Sequence, residues 1–373
     1  MTDNILVFNA GSATLKFALY EVAAGVAGTC VLRDQVDLAP ASADATVREA
    51  IVDIERRVGS GRVAAVGHRI VHGGSRYTQP VLLDERVVAE LEELRSLAPL
   101  HQGHGLAVVD VVRRTRPTVV QVAAFDTMFH STMPDVARRF ALPQVWFDRG
   151  VRRYGFHGLS YEFISGRLRE LSTAHRTCMD RVVVAHLGSG ASLCALRDGA
   201  SIATTMSFTP TDGLMMATRS GALDPSVVSY LLRERAMSAA EIDRLLNAQS
   251  GLLGVSGISG DIRELIGRDD PHARLAVDLF VYRIVVEIGA LIAALRGVDA
   301  IVFTGGIGTH QAQVRQRICD AFSWLGAQCD PARNERHETR FDTTSGAVVL
   351  WNIPTDEESV IARHTARLFA LAT

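Results

Sequence analysis

Short β-branched and aromatic runs alternate with helical stripes along this chain. Ile5 to Phe8 is one such run, ending at Asn9-Ala10-Gly11-Ser12, and a second run follows at Leu15 to Tyr20. This pattern predicts a hairpin with a tight glycine turn. Val182 to Ala185 repeats the design: it ends at His186-Leu187-Gly188-Ser189-Gly190 and is followed by a run at Ser192 to Leu196. Aligning the two segments keeps Gly-Ser in register 177 residues apart, so the chain reads as two related halves. Ala64 to Ile70 and Val119 to Phe125 read as strands, and Val87, Leu91, Leu94 and Leu97 mark one face of a helix. Leu275 to Leu295 is apolar nearly all round, which predicts a buried helix against a sheet. A strand at Ala300 to Thr304 then opens into Gly305-Gly306-Ile307-Gly308.

Composition narrows this picture. The 373 residues exceed one compact domain, and 47% apolar with 21% charged residues is the balance of a folded α/β chain. A net charge of −2 gives no field to draw the protein onto nucleic acid or an anionic membrane, so any anion must be held locally. The longest uncharged stretch, Leu245 to Gly260, has 16 residues and four glycines, too short and broken to span a bilayer. The first residues lack a basic leader pattern, and the expected compartment is the cytoplasm. Five cysteines without a C-x-x-C read as small core residues rather than a disulfide framework or zinc site.

Candidate chemistry gathers at three glycine turns that each follow a strand: Asn9 to Ser12, His186 to Gly190, and Thr304 to Gly308. Glycine lets backbone N–H groups approach a ligand, and neighbouring hydroxyls add donors, so three such turns point to phosphate. Neither the P-loop nor the dinucleotide pattern is present. Arg69, in His68-Arg69-Ile70-Val71-His72, and Arg219, in Ala217-Thr218-Arg219-Ser220, offer planar forks suited to a phosphoryl group that is sharing charge. Asp126 follows a strand end, and Glu357 lies in an acidic cluster, Asp356-Glu357-Glu358, that also suits a helix N-terminus. Together these two carboxylates suit Mg²⁺ alongside nucleotide phosphates. His157, in Tyr154-Gly155-Phe156-His157-Gly158, is placed to donate to a phosphoryl oxygen.

The segments NAGSATLKF, HRIVHGG, LAPLH, FDTMFHSTMP, YGFHG, HLGSGAS, FTPTDGL, ATRSGALDP, GISGDIREL, TGGIG and PTDEE run almost end to end, and in this order they resemble the acetate and propionate kinase family. The resemblance implies duplicated actin-like (ribonuclease H-like) α/β domains with an active-site cleft between them, and a homodimer. With the repeat, it implies a first domain of residues 1–128 plus 357–373, and a second of residues 129–356 that carries the adenosine site and dimerisation. It implies reversible, Mg²⁺-dependent transfer of the ATP γ-phosphoryl group to acetate, giving acetyl phosphate and ADP by direct in-line transfer, with Mn²⁺ as an alternative metal. On this resemblance Arg69 and Arg219 bind the acyl carboxylate and the transferring phosphoryl group. Asp126 is the catalytic aspartate, His157 stabilises the transition state, and His101 is a further active-site histidine. Asn9, Ser12, Thr14 and Lys16 form the first phosphate hairpin, and His186, Gly188, Ser189 and Gly190 the second. Asp261, Arg263, Gly306 and Ile307 hold adenosine; Val71, Leu100 and Pro210 form the methyl pocket; Glu357, with Asn9, holds the metal.

The chain departs from the family pattern at Ser189, where asparagine is usual, at Thr309-His310, where a Glu-Asn pair is usual, at Ala13-Thr14, and at Ala217 and Ala222 around Arg219. Two alternatives therefore stand beside acetate as acceptor. One is a propionate or butyrate kinase of the same family, since one methylene changes discrimination by only about 1–3 kcal/mol; Val71 favours the smaller acid. The other is a weakened sensor of nucleotide or acyl phosphate.

Overall fold

The computed structural model describes residues 3–11, 14–23, 25–37, 43–58, 63–97, 102–175 and 179–372. It contains two mixed sheets, each in its own compact unit. The first unit comprises Met1–Ser131, His157–Phe163 and Asp356–Thr373; the second comprises Thr132–Phe156 and Ile164–Thr355.

The first sheet is built from β1 (Asp3–Ala10), β2 (Thr14–Ala23), β3 (Val26–Asp37), β4 (Val63–Ile70), β5 (Val81–Leu82) and β6 (Val120–Phe125), in the order β3-β2-β1-β4-β6-β5. β1 pairs antiparallel with β2 and parallel with β4, which pairs parallel with β6. The second sheet, from β7 (Arg181–Leu187), β8 (Ala191–Arg197), β9 (Ala200–Thr204), β10 (Ala300–Thr304) and β11 (Val349–Asn352), has the order β11-β10-β7-β8-β9. Its β7 is antiparallel to β8 and parallel to β10, and β10 is parallel to β11. The first five strands of one sheet thus map onto the other, β1 on β7, β4 on β10 and β6 on β11. Ala10 pairs with Leu15, whereas Leu187 pairs with Ala191, so the second hairpin turn is one residue shorter.

Near-continuous apolar strands are covered on both faces, as parallel sheets require. One face of the first sheet packs Ile5, Val7 and Phe125 against Val360, Ile361 and Ala366 of helix Glu357–Ala372. The other packs Leu6, Phe8 and Phe17 against Val47 and Ile54 of helix Ala43–Val58 and Val108 and Val112 of helix Gln102–Thr115. The helical stripe at Val87 and Leu91 forms an α-helix over Glu85–Glu93, and Leu94–Leu97 continue it as a 3₁₀ turn.

Helix Pro271–Leu295 forms, but it is not buried all round. Ala273, Phe280, Ile284 and Ile288 face the interior, while Leu275 (55% exposed), Tyr282 (61%) and Val286 (40%) lie on the opposite side. Apolar composition alone does not separate a helix buried within its own unit from one that keeps an apolar face outward. Among the described cysteines, Cys194 and Cys319 are core residues, whereas Cys30 and Cys329 are half-buried, and all four are free thiols. No described helix is long and apolar enough to cross a membrane.

Candidate active site

In the first unit, the parallel strands β1, β4 and β6 end side by side and carry Asn9, Arg69 and Asp126 there. The Arg69 guanidinium meets the Asp126 carboxylate through two parallel bonds, Nε to Oδ1 at 2.8 Å and Nη2 to Oδ2 at 2.6 Å. Its remaining nitrogen, Nη1, donates to Asn9 Oδ1 at 3.2 Å and to the Ala10 carbonyl at 3.4 Å. Asn9 Nδ2 turns the other way and donates to Glu357 Oε2 at 2.9 Å and Glu358 Oε1 at 2.7 Å. These partners fix the amide, because only its oxygen can accept from arginine and only its nitrogen can donate to carboxylates. Both glutamates stand in the first turn of helix Glu357–Ala372, where the positive end of the helix dipole favours them.

Burial defines the electrostatics. The Asp126 side chain is 2% exposed and that of Arg69 15%. Burial pushes the Asp126 carboxyl above its ordinary range, against the lowering influence of Arg69, and the Glu357 charge adds to the rise. Burial alone would lower the Arg69 guanidinium, but Asp126, then Glu357 and Glu358, more than offset it and hold it cationic. His157 sits beside this pair with φ +58°, a left-handed conformation uncommon for a residue with a side chain. The next amide, Gly158 N–H, donates to the Asp126 carbonyl at 2.9 Å, and a Cβ on Gly158 would collide with that oxygen.

Beyond β4, Val71 is buried (4% exposed) and the segment after it is clamped. The His72 N–H donates to Gln102 Oε1 (3.0 Å), Gln102 Nε2 returns a bond to the His72 carbonyl (3.1 Å), and the Gly73 N–H donates to Thr127 Oγ1 (3.1 Å). Lys16 is exposed and stands across the hairpin from Asn9, and the Thr14 carbonyl accepts from the Gly11 N–H at 2.8 Å. Ser12, Leu100 and His101 lie outside the described residues.

The other candidates fall in the second unit. The turns after β7 and β10 converge: a Cβ on Gly188 would lie 3.9 Å from the Gly306 amide nitrogen, and one on Gly305 (φ +75°) only 2.6 Å from the Leu187 carbonyl. Gly306 faces open space, Ser189 is exposed, and His186, Gly190 and Ile307 are half-buried. The Ser189 carbonyl accepts from the Ala217 N–H at 3.1 Å, which ties the arginine loop to this turn. Arg219 Nη1 donates to the Pro210 carbonyl at 3.0 Å. Gly260 packs against Ala217, and next to it Asp261 caps helix Ile262–Leu265 and pairs with Arg263 (Nη2 to Oδ2, 2.5 Å). Asn9, Arg69, Asp126 and Glu357 are therefore joined by hydrogen bonds in one unit, with His157 beside Asp126. In the other, Gly188 approaches Gly306, Ser189 and Gly260 each meet Ala217 in the loop that carries Arg219, and Asp261 pairs with Arg263. Glu358, Gln102 and Thr127 were missed by sequence reasoning. Glu358 adjoins Glu357 and Thr127 adjoins Asp126, so adjacency to a candidate was the available signal.

Among the described residues no cluster of three His, Cys, Asp or Glu forms a metal cage. Mg²⁺ does not need one when nucleotide oxygens and water complete its shell. Glu357 fits such a site, whereas the Asn9 oxygen is turned to Arg69 and its nitrogen to the carboxylates.

The chain belongs to a class of phosphotransferases built on duplicated α/β sheets. It is a member of the acetokinase family, whose model matches residues 4–363. It is 47% identical over 394 residues to the acetate kinase of Rhodopseudomonas palustris (strain TIE-1), covering 99% of both chains. Among solved structures it resembles a propionate kinase from Francisella tularensis (TM-score 0.87, 32% identity, 97% of this chain and 99% of that one). It also resembles the acetate kinase of Porphyromonas gingivalis (TM-score 0.84, 34% identity, 97% and 98%). Its two sheets are the duplicated actin-like α/β fold of these kinases.

Proposed function

We propose that this protein is an acetate kinase, transferring the γ-phosphoryl group of ATP to acetate and back. The observation that carries the reading is the buried network Asn9–Arg69–Asp126–Glu357/Glu358 at the ends of β1, β4 and β6. Full-length relatives named acetate kinase support it over a sensor that has lost catalysis.

In this reading the acetate carboxylate attacks the γ-phosphorus in line and ADP leaves from the opposite side, with no covalent enzyme intermediate. Arg69 enters the reaction already oriented, since two bonds to Asp126 and one to Asn9 fix its plane, so little reorganisation accompanies charge development. Asp126 holds that orientation, and His157 donates to an equatorial phosphoryl oxygen. Arg219 binds the transferring phosphoryl group. Ser12, Thr14, Lys16, His186, Gly188, Ser189 and Gly190 are assigned to phosphates; Asp261, Arg263, Gly306 and Ile307 to adenosine; and Val71, Leu100, His101 and Pro210 to the acyl group. Mg²⁺, held through Glu357, would supply charge neutralisation on the nucleotide phosphates; Mn²⁺ suits the same site. Asn9 serves this site through its hydrogen bond to Glu357.

The same reading puts the enzyme in the cytoplasm as a homodimer, and the outward Leu275, Tyr282 and Val286 support self-association. The test of function is trapping of acyl phosphate as hydroxamate with MgATP and acetate, propionate or butyrate. Acetate is expected to give the highest kcat/KM; no product with any acid overturns the proposal.

A further inference from the structure

Strand β4 ends at Ile70, whose carbonyl accepts the Asp126 N–H at 3.1 Å, so Val71 stands just beyond the last ladder pair with Phe125. Its placement comes from the peptide groups that follow. One side chain takes both polar groups of His72. Gln102 Oε1 accepts the His72 N–H at 3.0 Å, Nε2 donates to the His72 carbonyl at 3.1 Å, and Nε2 also donates to the Leu91 carbonyl at 3.3 Å. The amide therefore has one orientation, since only its oxygen can meet an N–H and only its nitrogen can serve two carbonyls. Gln102 and His72 are both fully buried, which strengthens these bonds and makes their loss costly.

The rest of the loop is held as closely. His72 Nδ1 accepts the Gly74 N–H at 2.8 Å, and burial, which pushes this imidazole down to about 4, keeps the ring neutral and the acceptor available at neutral pH. The Gly73 N–H donates to Thr127 Oγ1, and the Gly73 carbonyl accepts from the Tyr77 N–H at 3.0 Å. A Cβ on Gly73 would lie 2.3 Å from the Tyr77 carbonyl, so that side of the loop is closed. Gln102 itself opens helix Gln102–Thr115, and about one turn later a Cβ on Gly105 would come 3.0 Å from the Arg69 carbonyl. The helix start therefore meets the chain on both sides of Val71, at residue 69 and at residue 72.

We propose that Gln102 is a positioning residue for acyl selectivity: by locking both peptide groups of His72 it fixes where the Val71 side chain stands, and so restricts the acceptor to the shortest of the small carboxylates. The proposal rests on the reading of Val71 as part of the acyl site. A pocket distinguishes two acids that differ by one methylene only as far as its wall refuses to move. Gln102 supplies that refusal through backbone it holds, without touching the acid.

The test compares wild-type protein with Gln102→Met, which keeps the length of the side chain and removes its three hydrogen bonds, and with Gln102→Asn, a milder change that keeps the amide on a shorter arm. Each is assayed for kcat and KM with acetate, propionate and butyrate, and for hydrogen exchange at the amides of His72, Gly73 and Gly74. In Gln102→Met the acetate-over-propionate ratio of kcat/KM should fall by about three- to tenfold, part of what one methylene commands, with the acetate KM raised. Gln102→Asn should move the ratio the same way by less, and it carries the test should the methionine variant not fold. The amides of residues 72–74 should exchange faster in both. In a Val71→Ala background Gln102→Met should change the ratio little further, because it acts through Val71. A ratio that stays at the wild-type value while all three acids lose kcat/KM alike would overturn the proposal, and so would unchanged exchange at residues 72–74. Wild-type protein that phosphorylates none of the acids would overturn the kinase reading itself, whereas selective wild type with equally selective variants overturns this inference alone.

Discussion

The two halves of the duplication place different chemistry at equivalent strand ends. By register, Asn9, Arg69 and Asp126 in the first unit correspond to His186, Thr304 and Thr355 in the second. The first set is a buried ion pair braced by an amide and two further carboxylates. The second carries no arginine or carboxylate, and the Thr304 and Thr355 hydroxyls are buried with no hydrogen-bond partner among the described residues. A buried ion pair is expensive to desolvate, and apolar isosteres often replace it without loss of stability. Equivalent strand ends of one fold thus carry fixed buried charge in one unit and uncharged side chains beside open glycine backbone in the other.

The largest expected effect comes from breaking the pair. Asp126→Ala strands the Arg69 cation in the interior and should destabilise the protein by about 3–5 kcal/mol. At the equivalent place in the second unit, Thr304→Val removes an unpartnered hydroxyl and should be neutral or stabilising. Urea unfolding of both variants measures the contrast; equal losses would erase it.

Acid sharpens the comparison next. Burial pushes the His68 and His72 imidazoles of the first unit down to about 4. Between that value and 6.5 the unfolded chain binds more protons than the folded one, so stability falls as pH drops through this window. The expected loss from pH 7 to pH 4 is about 3 kcal/mol per histidine. Unfolding free energies across this range should show a slope that His68→Gln reduces by roughly half, the share of one histidine of two.

Two smaller effects separate the units by substrate. Ser189→Asn restores a longer, two-donor side chain at the second-unit turn and should improve ATP affinity or turnover by about 1–2 kcal/mol at most. Titration and kinetics with ATP, GTP and pyrophosphate check this, and loss of activity with every donor would show a turn adapted to serine. If Val71 lines the acyl site as we propose, Val71→Ala in the first unit makes room for one more methylene and should move preference toward propionate by about 1 kcal/mol. The ratio of kcat/KM for the two acids reads it, and an unchanged ratio would place the acyl group elsewhere.

Much of this was legible in the chain. The 177-residue repeat is the β1–β2 and β7–β8 hairpins, and Asn9, Arg69, Asp126 and Glu357, each singled out from its own motif, lie in one hydrogen-bonded network, in which Asp126 pairs with Arg69. What stayed hidden depends on long-range packing. Glu358 reads as a helix-capping acid until the helix following β11 is seen to bring it 2.7 Å from Asn9. Gln102 has no local pattern, since its partners lie 30 residues away at His72 and 11 away at the Leu91 carbonyl. The outward face of helix Pro271–Leu295 was invisible for another reason: apolar content does not say which apolar side finds a partner.

The division of labour between the units is tested most directly with Arg69→Ala, by measuring nucleotide binding at equilibrium and phosphoryl transfer in a single turnover by rapid quench. Nucleotide affinity should stay within about threefold while the transfer rate falls by about 10²–10³, the worth of one preorganised charge contact in the transition state. A variant that loses nucleotide yet transfers the phosphoryl group at the wild-type rate would contradict the account.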